Sequence, residues 1–289
     1  MNARSIVNKV SQLCVLIEDT KPSIILITET WLSNSVSDAE LNLKDYCIFR
    51  QDRSHGQDPH GGVLIAIKVS LNSRRVNIDT SLEVCFADIF INNVTLRLCV
   101  SYRPPLSSYE HSKTLIELIR NKLDNVDYFI ILGDFNFSGI DWDLLVPSNS
   151  SERFFLDILN EMCSTQIINE PTTEYSSILD LCVVSDDTLV TNVCVGDLFS
   201  TSDHCYITGE INLPVQKNDE PRLFFNFELA DWDLMRAHLA ITDWDQIFQG
   251  TSNIEEAWFG FKNIINTFTY LYVPQQIFTK IESLGIIKI

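Results

Sequence analysis

Apolar residues fall into two patterns along this chain, spaced clusters and short unbroken runs. Ile6, Val10, Leu13 and Ile17 share one face of a helix expected over 5–18. Lys21-Pro22 ends it, because proline cannot continue a helical hydrogen-bond ladder. The run Ile24-Ile25-Leu26-Ile27 has no polar face and reads as a strand buried on both sides. Gly61-Gly62 opens another strand over 63–69. Residues 82–91 and 94–102 form the arms of a hairpin joined by Asn92-Asn93. Leu115, Leu118, Ile119 and Leu123 mark a helix ending near Asp124. A buried strand follows at 128–132, then a helix over 153–162 with Phe154, Phe155, Ile158 and Leu159 on one side. Three more strands are expected at 178–184, 190–195 and 205–213.

Many strands, few helices and recurrent hairpins predict an α+β protein. Strands apolar on both faces need cover on both, which two packed mixed β-sheets flanked by helices supply, a four-layer α/β sandwich. Residues 1–213 form this domain, and the polar stretch 214–222 reads as a linker. Residues 223–289 read as a short helical extension, with helices at 231–239 and 254–271 and no clear pattern over 279–289.

Composition narrows the class. The hydrophobic fraction of 45% suits a folded chain of 289 residues. No apolar run reaches the ~18 residues of a membrane span, and Met1-Asn2-Ala3-Arg4 lacks the apolar core of a signal peptide. The eight Cys form no C-x-x-C pair and lie mostly in apolar runs, so reduced thiols of an intracellular protein are expected. Lys plus Arg is 21 against 39 Asp plus Glu, a net charge of −18. Bulk charge therefore does not hold nucleic acid; a small local phosphate site is still compatible with it.

Four segments place polar residues at strand ends, where a rigid strand meets an adaptable loop. Glu29, in Thr28-Glu29-Thr30-Trp31, is a carboxylate suited to Mg²⁺, which takes one or two carboxylates plus phosphate and water. Tyr102-Arg103-Pro104-Pro105 stops a strand and fixes the direction of the Tyr102 hydroxyl. In Gly133-Asp134-Phe135-Asn136, the glycine allows close approach of the backbone to a ligand. Asp134 and Asn136 point to one side if the segment is extended, where one accepts a proton from water and the other donates to an oxyanion. Ser202-Asp203-His204 opens a strand, and Asp180, interrupting an apolar strand, is a candidate partner for His204. His55, His60 and His111 read as surface residues, and His238 has no evident partner in the sequence.

In order these residues are Asn2, Glu29, Tyr102, Asp134 with Asn136, Asp180, and Asp203 with His204. This order and spacing resemble the endonuclease/exonuclease/phosphatase (DNase-I-like) superfamily over about 1–213. The segments Asn2-Ala3-Arg4-Ser5, Thr28-Glu29-Thr30-Trp31-Leu32, Tyr102-Arg103-Pro104-Pro105, Gly133-Asp134-Phe135-Asn136, Leu179-Asp180-Leu181 and Ser202-Asp203-His204-Cys205 look like the apurinic-type endonuclease of LINE-like (non-LTR, jockey-like) retrotransposons. Ala230-Asp231-Trp232, Asp243-Trp244, Glu256-Ala257-Trp258 and Val273-Pro274 resemble the connector that follows it there.

The resemblance implies a Mg²⁺- or Mn²⁺-dependent DNA endonuclease that nicks one strand for target-primed reverse transcription. It implies that Glu29 holds the metal, with Asn2 supporting it and Asp203 in the metal and water network. Asp134 activates or orients the attacking water, assisted by Asn136; His204 binds the scissile phosphate, Asp180 orients His204, and Tyr102 contacts the phosphate. The implied partners are DNA and a reverse transcriptase domain on the same chain, acting in the nucleus. The alternatives are a catalytically impaired retroelement remnant and a related enzyme with another phosphodiester substrate. Relatives carry a strand leading into Asn2, so the chain is expected to lack its first strand and to be a fragment truncated at both ends. Thr172-Thr173 stands where relatives commonly have Thr-Arg, which weakens an expected DNA contact. The remaining DNA contact is expected from Arg50, Arg53, Arg74, Arg75 and Arg103.

Overall fold

The computed structural model describes residues 1–53, 60–91, 93–213, 222–249, 253–278 and 287–288. His55, Asn92 and nearly all of the expected linker lie outside them. The chain divides into two units, Met1–Val215 with Leu284–Ile289, and Gln216–Ser283. The last residues thus group with the first unit.

In the first unit, helix α1 (Val10–Thr20) precedes strands β1 (Ile24–Thr28), β2 (Tyr46–Gln51) and β3 (Val63–Lys68), which form an antiparallel ribbon in the order β1-β3-β2. Then come β4 (Ser73–Val76), β5 (Val84–Ile91), β6 (Val94–Tyr102), helix α2 (Tyr109–Leu123), β7 (Tyr128–Asp134), helix α3 (Ser150–Glu161), β8 (Thr165–Gln166) and β9 (Asp180–Val184). Their strands make a six-stranded sheet in the order β4-β5-β6-β7-β9-β8, antiparallel except for β6 beside β7. Finally β10 (Val190–Leu198) and β11 (Cys205–Ile211) pair, and β14 (Ile287–Lys288) joins β11.

Alternation along the strands explains the layers. On β1, Ile24 and Leu26 enter the core shared with the six-stranded sheet, while Ile25 and Ile27 pack outward with Leu13 of α1. On β7, Ile130 and Leu132 face that same shared core, and Phe129 and Ile131 face Leu115, Ile119 and Phe155 of α2 and α3. Each strand is covered on both sides, which is why the sequence shows unbroken apolar runs. The result is the four-layer arrangement expected, helix, sheet, sheet, helix. It differs in one respect: the layer opposite the six-stranded sheet is two separate ribbons rather than one mixed sheet.

Helix α1 begins five residues later than expected. Arg4 and Ser5 have φ of 43° and 77°, outside the helical region, because the chain there pairs with the end of β1. Ser5 N donates to Glu29 O at 2.8 Å and Ile6 N to Thr30 O at 3.1 Å. Strands β2, β4 and β8 carry no strong apolar alternation, and no sequence pattern predicts them. The eight cysteines are free; Cys85, Cys99 and Cys182 are buried, whereas Cys163 and Cys194 are exposed.

In the second unit, β12 (Arg222–Phe225) pairs antiparallel with β13 (Gln275–Phe278), and the helices are α4 (Trp232–Ile241), α5 (Trp244–Phe248) and α6 (Ile254–Tyr272). The two strands depart from a purely helical extension. Asp231 caps α4 by accepting from Leu234 N, and His238 does have a partner, the Tyr272 hydroxyl of α6. No described helix is long and apolar enough to cross a membrane.

Candidate active site

The candidate site lies where β1, β6, β7, β9 and β11 begin or end. The register explains why: Tyr102 and Asp134 are partners across β6 and β7, and Asp134 and Asp180 across β7 and β9. Asn2 bridges Thr28 at the end of β1, bringing it beside Glu29. The strands therefore assemble residues far apart in the chain without any long side-chain reach.

Asn2 is fully buried, and its side-chain amide donates to Glu29 Oε1 at 2.8 Å and to Asp134 Oδ2 at 2.9 Å. One amide thus satisfies and spaces two acidic groups. Glu29 Oε2 accepts from Trp31 Nε1 at 3.1 Å. Each of these Glu29 oxygens has a second lone-pair direction that can take another ligand. Glu29 and Trp31 both have positive φ, 49° and 53°, a backbone cost that persists only where surroundings enforce it.

His204 Nδ1 lies 2.6 Å from Asp180 Oδ2, which fixes the ring. Its Nε2 lies 3.9 Å from Asp134 Oδ2 and 3.8 Å from Asp203 Oδ1. Burial disfavours the charged imidazolium, but the Asp180 hydrogen bond and the charges of Asp180, Asp134 and Asp203 outweigh it and raise the His204 pKa to about 9. Burial, then the Asp180 charge, raise Asp134 to about 8, against the pull of His204 and the bonds from Asn2 and Asn136. Tyr102 is buried; burial first, then Glu29 and Asp134, push its hydroxyl upward, so it stays a neutral donor.

Several expectations are corrected. The 134–136 segment is not extended: β7 ends at Asp134 and Asn136 has φ of 50°. The Asn136 backbone N–H donates to Asp134 Oδ1 at 3.0 Å, and its side-chain amide donates to Arg103 O at 2.9 Å. Asn136 therefore holds Asp134 rather than pointing alongside it. Gly133 is needed for approach to protein backbone, not to a ligand, since a Cβ there would stand 1.9 Å from Ser101 O across β6. Of the five arginines, Arg103 is buried and bonds Ser112 Oγ at 2.8 Å and Phe135 O at 3.2 Å, so it is part of the scaffold. Arg50 and Arg53 are largely buried in pairs with Asp38 and Glu83. Of these five, Arg74 and Arg75 are exposed, on β4 at the sheet edge.

Other contacts brace these residues. Thr172 is fully buried, and its hydroxyl accepts from Leu179 N and Asp180 N, each at 3.1 Å. It sets the backbone that carries Asp180. Ser202 Oγ donates to Asn2 O at 2.9 Å, and Arg4 Nη1 pairs with Asp203 Oδ2 at 2.9 Å.

The fit to a divalent cation is judged on the donors. Asp203 Oδ1 is buried without a hydrogen-bond partner, and the surrounding groups offer oxygen ligands. Among the described residues, no group of three or more His, Cys, Asp or Glu forms a ready cage. That set fits Mg²⁺ or Mn²⁺, which keep waters and share substrate oxygens, better than a metal that demands a full protein cage.

Residues 96–208 match a family model described as endonuclease-reverse transcriptase. No curated protein matches the chain. Among solved structures, the endonuclease domain of TRAS1, a telomere-specific non-LTR retrotransposon, is similar at TM-score 0.57 and 17% identity, covering 75% of this chain and 97% of that one. The 3′-5′ exonuclease NExo from Neisseria meningitidis is similar at TM-score 0.57 and 19% identity, covering 73% and 97%. The AP endonuclease LMAP from Leishmania major is similar at 0.57 and 15%, covering 71% and 84%. The architecture is thus that of the DNase-I-like fold, and together with the family model these similarities support the endonuclease/exonuclease/phosphatase superfamily.

Proposed function

We propose that this chain is a divalent-metal-dependent DNA endonuclease of the non-LTR retrotransposon type, hydrolysing one phosphodiester to leave a 3′-hydroxyl for a reverse transcriptase. The observation that carries this reading is the convergence of Asn2, Glu29, Asp134, Asp180 and His204 into one buried network from five chain segments. The similarity to the TRAS1 endonuclease domain supports the retrotransposon context, and with it a reverse transcriptase partner and a nuclear place of action.

Glu29, supported by Asn2 and Asp203, would hold Mg²⁺ or Mn²⁺, which when bound neutralises charge on the phosphate oxygens. Asp134 positions the attacking water and, in its ionised form, takes a proton from it; with its pKa raised to about 8 that form dominates only above that pH, and the Asn136 N–H and the Asn2 amide keep its two oxygens fixed for the task. His204 stays protonated at neutral pH, with Nδ1–H committed to Asp180 and Nε2–H turned to the substrate. It donates to the scissile phosphate as charge develops there. Asp180 holds the ring orientation. Tyr102 offers a neutral hydroxyl to a phosphate oxygen.

The test is nicking of supercoiled plasmid with Mg²⁺, with Asp134→Ala and His204→Ala as controls. A folded, monodisperse sample that does not nick overturns the reading. The equal fold similarity to NExo favours a second substrate, a 3′ end rather than an intact strand. A nicked duplex with a labelled 3′ terminus separates the two.

A further inference from the structure

The turn that follows β1 is held from two sides. Ser5 and Ile6 donate to the carbonyls of Glu29 and Thr30. From the other side, Thr30 N donates to Gly62 O at 3.2 Å and Trp31 N to Gly61 O at 2.8 Å. Gly61 and Gly62, just ahead of β3, have φ of 139° and 84°, and a Cβ on Gly61 would stand 2.0 Å from Glu83 Oε1. Glu83 is itself buried; its carboxylate accepts from Gly62 N and pairs with Arg53 Nη2 at 2.7 Å. The glycine pair is thus a braced backbone clamp, and Trp31 is what it holds.

The Trp31 side chain is fixed as well. The His60 ring meets it edge-on, with centroids 4.2 Å apart and planes at 70°. Its Nε1 donates to Glu29 Oε2 at 3.1 Å, while the Asn2 amide donates to Glu29 Oε1 at 2.8 Å. An indole N–H donates only, so Trp31 does not compete with Glu29 for a cation. What it does is order the carboxylate. Glutamate is a long side chain that loses much rotamer freedom when fixed. With one donor on each oxygen, that loss is met before any ligand arrives. A donor also draws charge from the oxygen it touches, yet the second lone pair stays available, and ordering by outer partners is the larger effect on metal affinity.

We infer that Trp31 is a positioning residue that holds Glu29 ready for a divalent cation, and that Gly61 and Gly62 serve the site by holding Trp31. This accounts for the positive φ of 49° at Glu29 and 53° at Trp31, a backbone cost that aims the indole back at the carboxylate two residues before it. It also gives Gly61-Gly62 a task beyond opening β3. The inference rests on the reading of Glu29 as the residue that holds the metal.

Titration of the full chain with Mn²⁺, followed by the electron paramagnetic resonance of the free ion, tests it without any turnover. Trp31→Phe keeps an aromatic ring beside His60 but removes the donor. In samples shown to be folded by circular dichroism, it is expected to weaken Mn²⁺ binding by about tenfold. Glu29→Gln, measured alongside, separates the two ideas. Weakening by Glu29→Gln but not by Trp31→Phe overturns the role of Trp31 and leaves the metal reading standing. No Mn²⁺ binding by wild type, or no effect of Glu29→Gln, overturns both. A second measurement needs no variant to fold. In wild type labelled with ¹⁵N-tryptophan, the Trp31 indole N–H resonance is expected to shift on addition of Mg²⁺, because its acceptor is the oxygen pair that takes the cation. A Trp31 resonance that stays in place while Mg²⁺ binds overturns the inference.

Discussion

The first unit and the 216–283 unit use apolar residues in opposite ways. In the first, β1, β3, β5 and β7 are buried on both faces, and Phe86, Phe135 and Phe137 have at most 2% exposure. In the second, the 19-residue helix α6 has no buried residue, and Trp258 and Phe259 are 53% and 62% exposed. Stability follows burial, and positional accuracy follows packing from several sides. The candidate site lies wholly in the unit where both are available. Hydrogen bonds of 2.6–2.9 Å between residues as distant as Asn2 and Asp134 hold only where strands fix both backbones.

The largest expected difference between the units is in activity. Asp134→Asn keeps the Asn2 and Asn136 neighbourhood but removes the proposed base, and nicking is expected to fall by about 10³-fold. In the second unit, Trp258→Ala should leave the rate per folded molecule within about twofold. Plasmid nicking rates for both variants measure the contrast directly. A comparable loss in both would place part of the reaction in the second unit.

Next comes stability. Phe135 packs between Phe137 and Phe155, with ring centroids 6.2 Å and 5.1 Å away. Phe135→Ala is expected to cost about 3–5 kcal/mol in denaturant unfolding, as buried aromatic truncations do. Equal costs for Phe135→Ala and Trp258→Ala would break the comparison.

The third prediction sharpens it with pH. His204 has a raised pKa in the folded state, so its stabilising contribution is complete below about 6.5, the ordinary value. It is lost as pH rises through about 9. The unfolding free energy of wild type should therefore fall between these values more than that of His204→Gln, by an amount on the order of 3 kcal/mol. Denaturant unfolding of the two proteins across this pH range measures it, and parallel profiles refute the charged Asp180–His204 pair. The smallest expected effect is the stability cost of Trp258→Ala, within about 0.5 kcal/mol, because more than half of that side chain is already in water.

The fold was largely legible because each buried strand must be apolar on both faces. Ile24 to Ile27 and Tyr128 to Leu132 announce themselves without any partner being known. The start of α1 was not legible, since Arg4 and Ser5 leave the helical region only to pair with Glu29 and Thr30. The arginines mislead for a related reason: charge in a sequence does not reveal whether Arg103 meets solvent or the Phe135 carbonyl. Thr172 stood out only for its neighbour, and its bracing of Asp180 was not legible, because one buried hydroxyl looks like any other threonine until the backbone around Asp180 turns toward it.

By itself the sequence determined the doubly buried strands, the layer logic and the residue types of the candidate site, since periodicity and strand-end position depend only on local spacing. It singled out Glu29, Asp134, Asp180 and His204 and suggested that the last two are partners. Tertiary structure alone decided that Asn2 joins Glu29 to Asp134, that Asn136 turns back onto Arg103, and that Ile287–Lys288 pairs with β11. Those outcomes depend on strand register and chain direction across long sequence separations, and no local pattern encodes either.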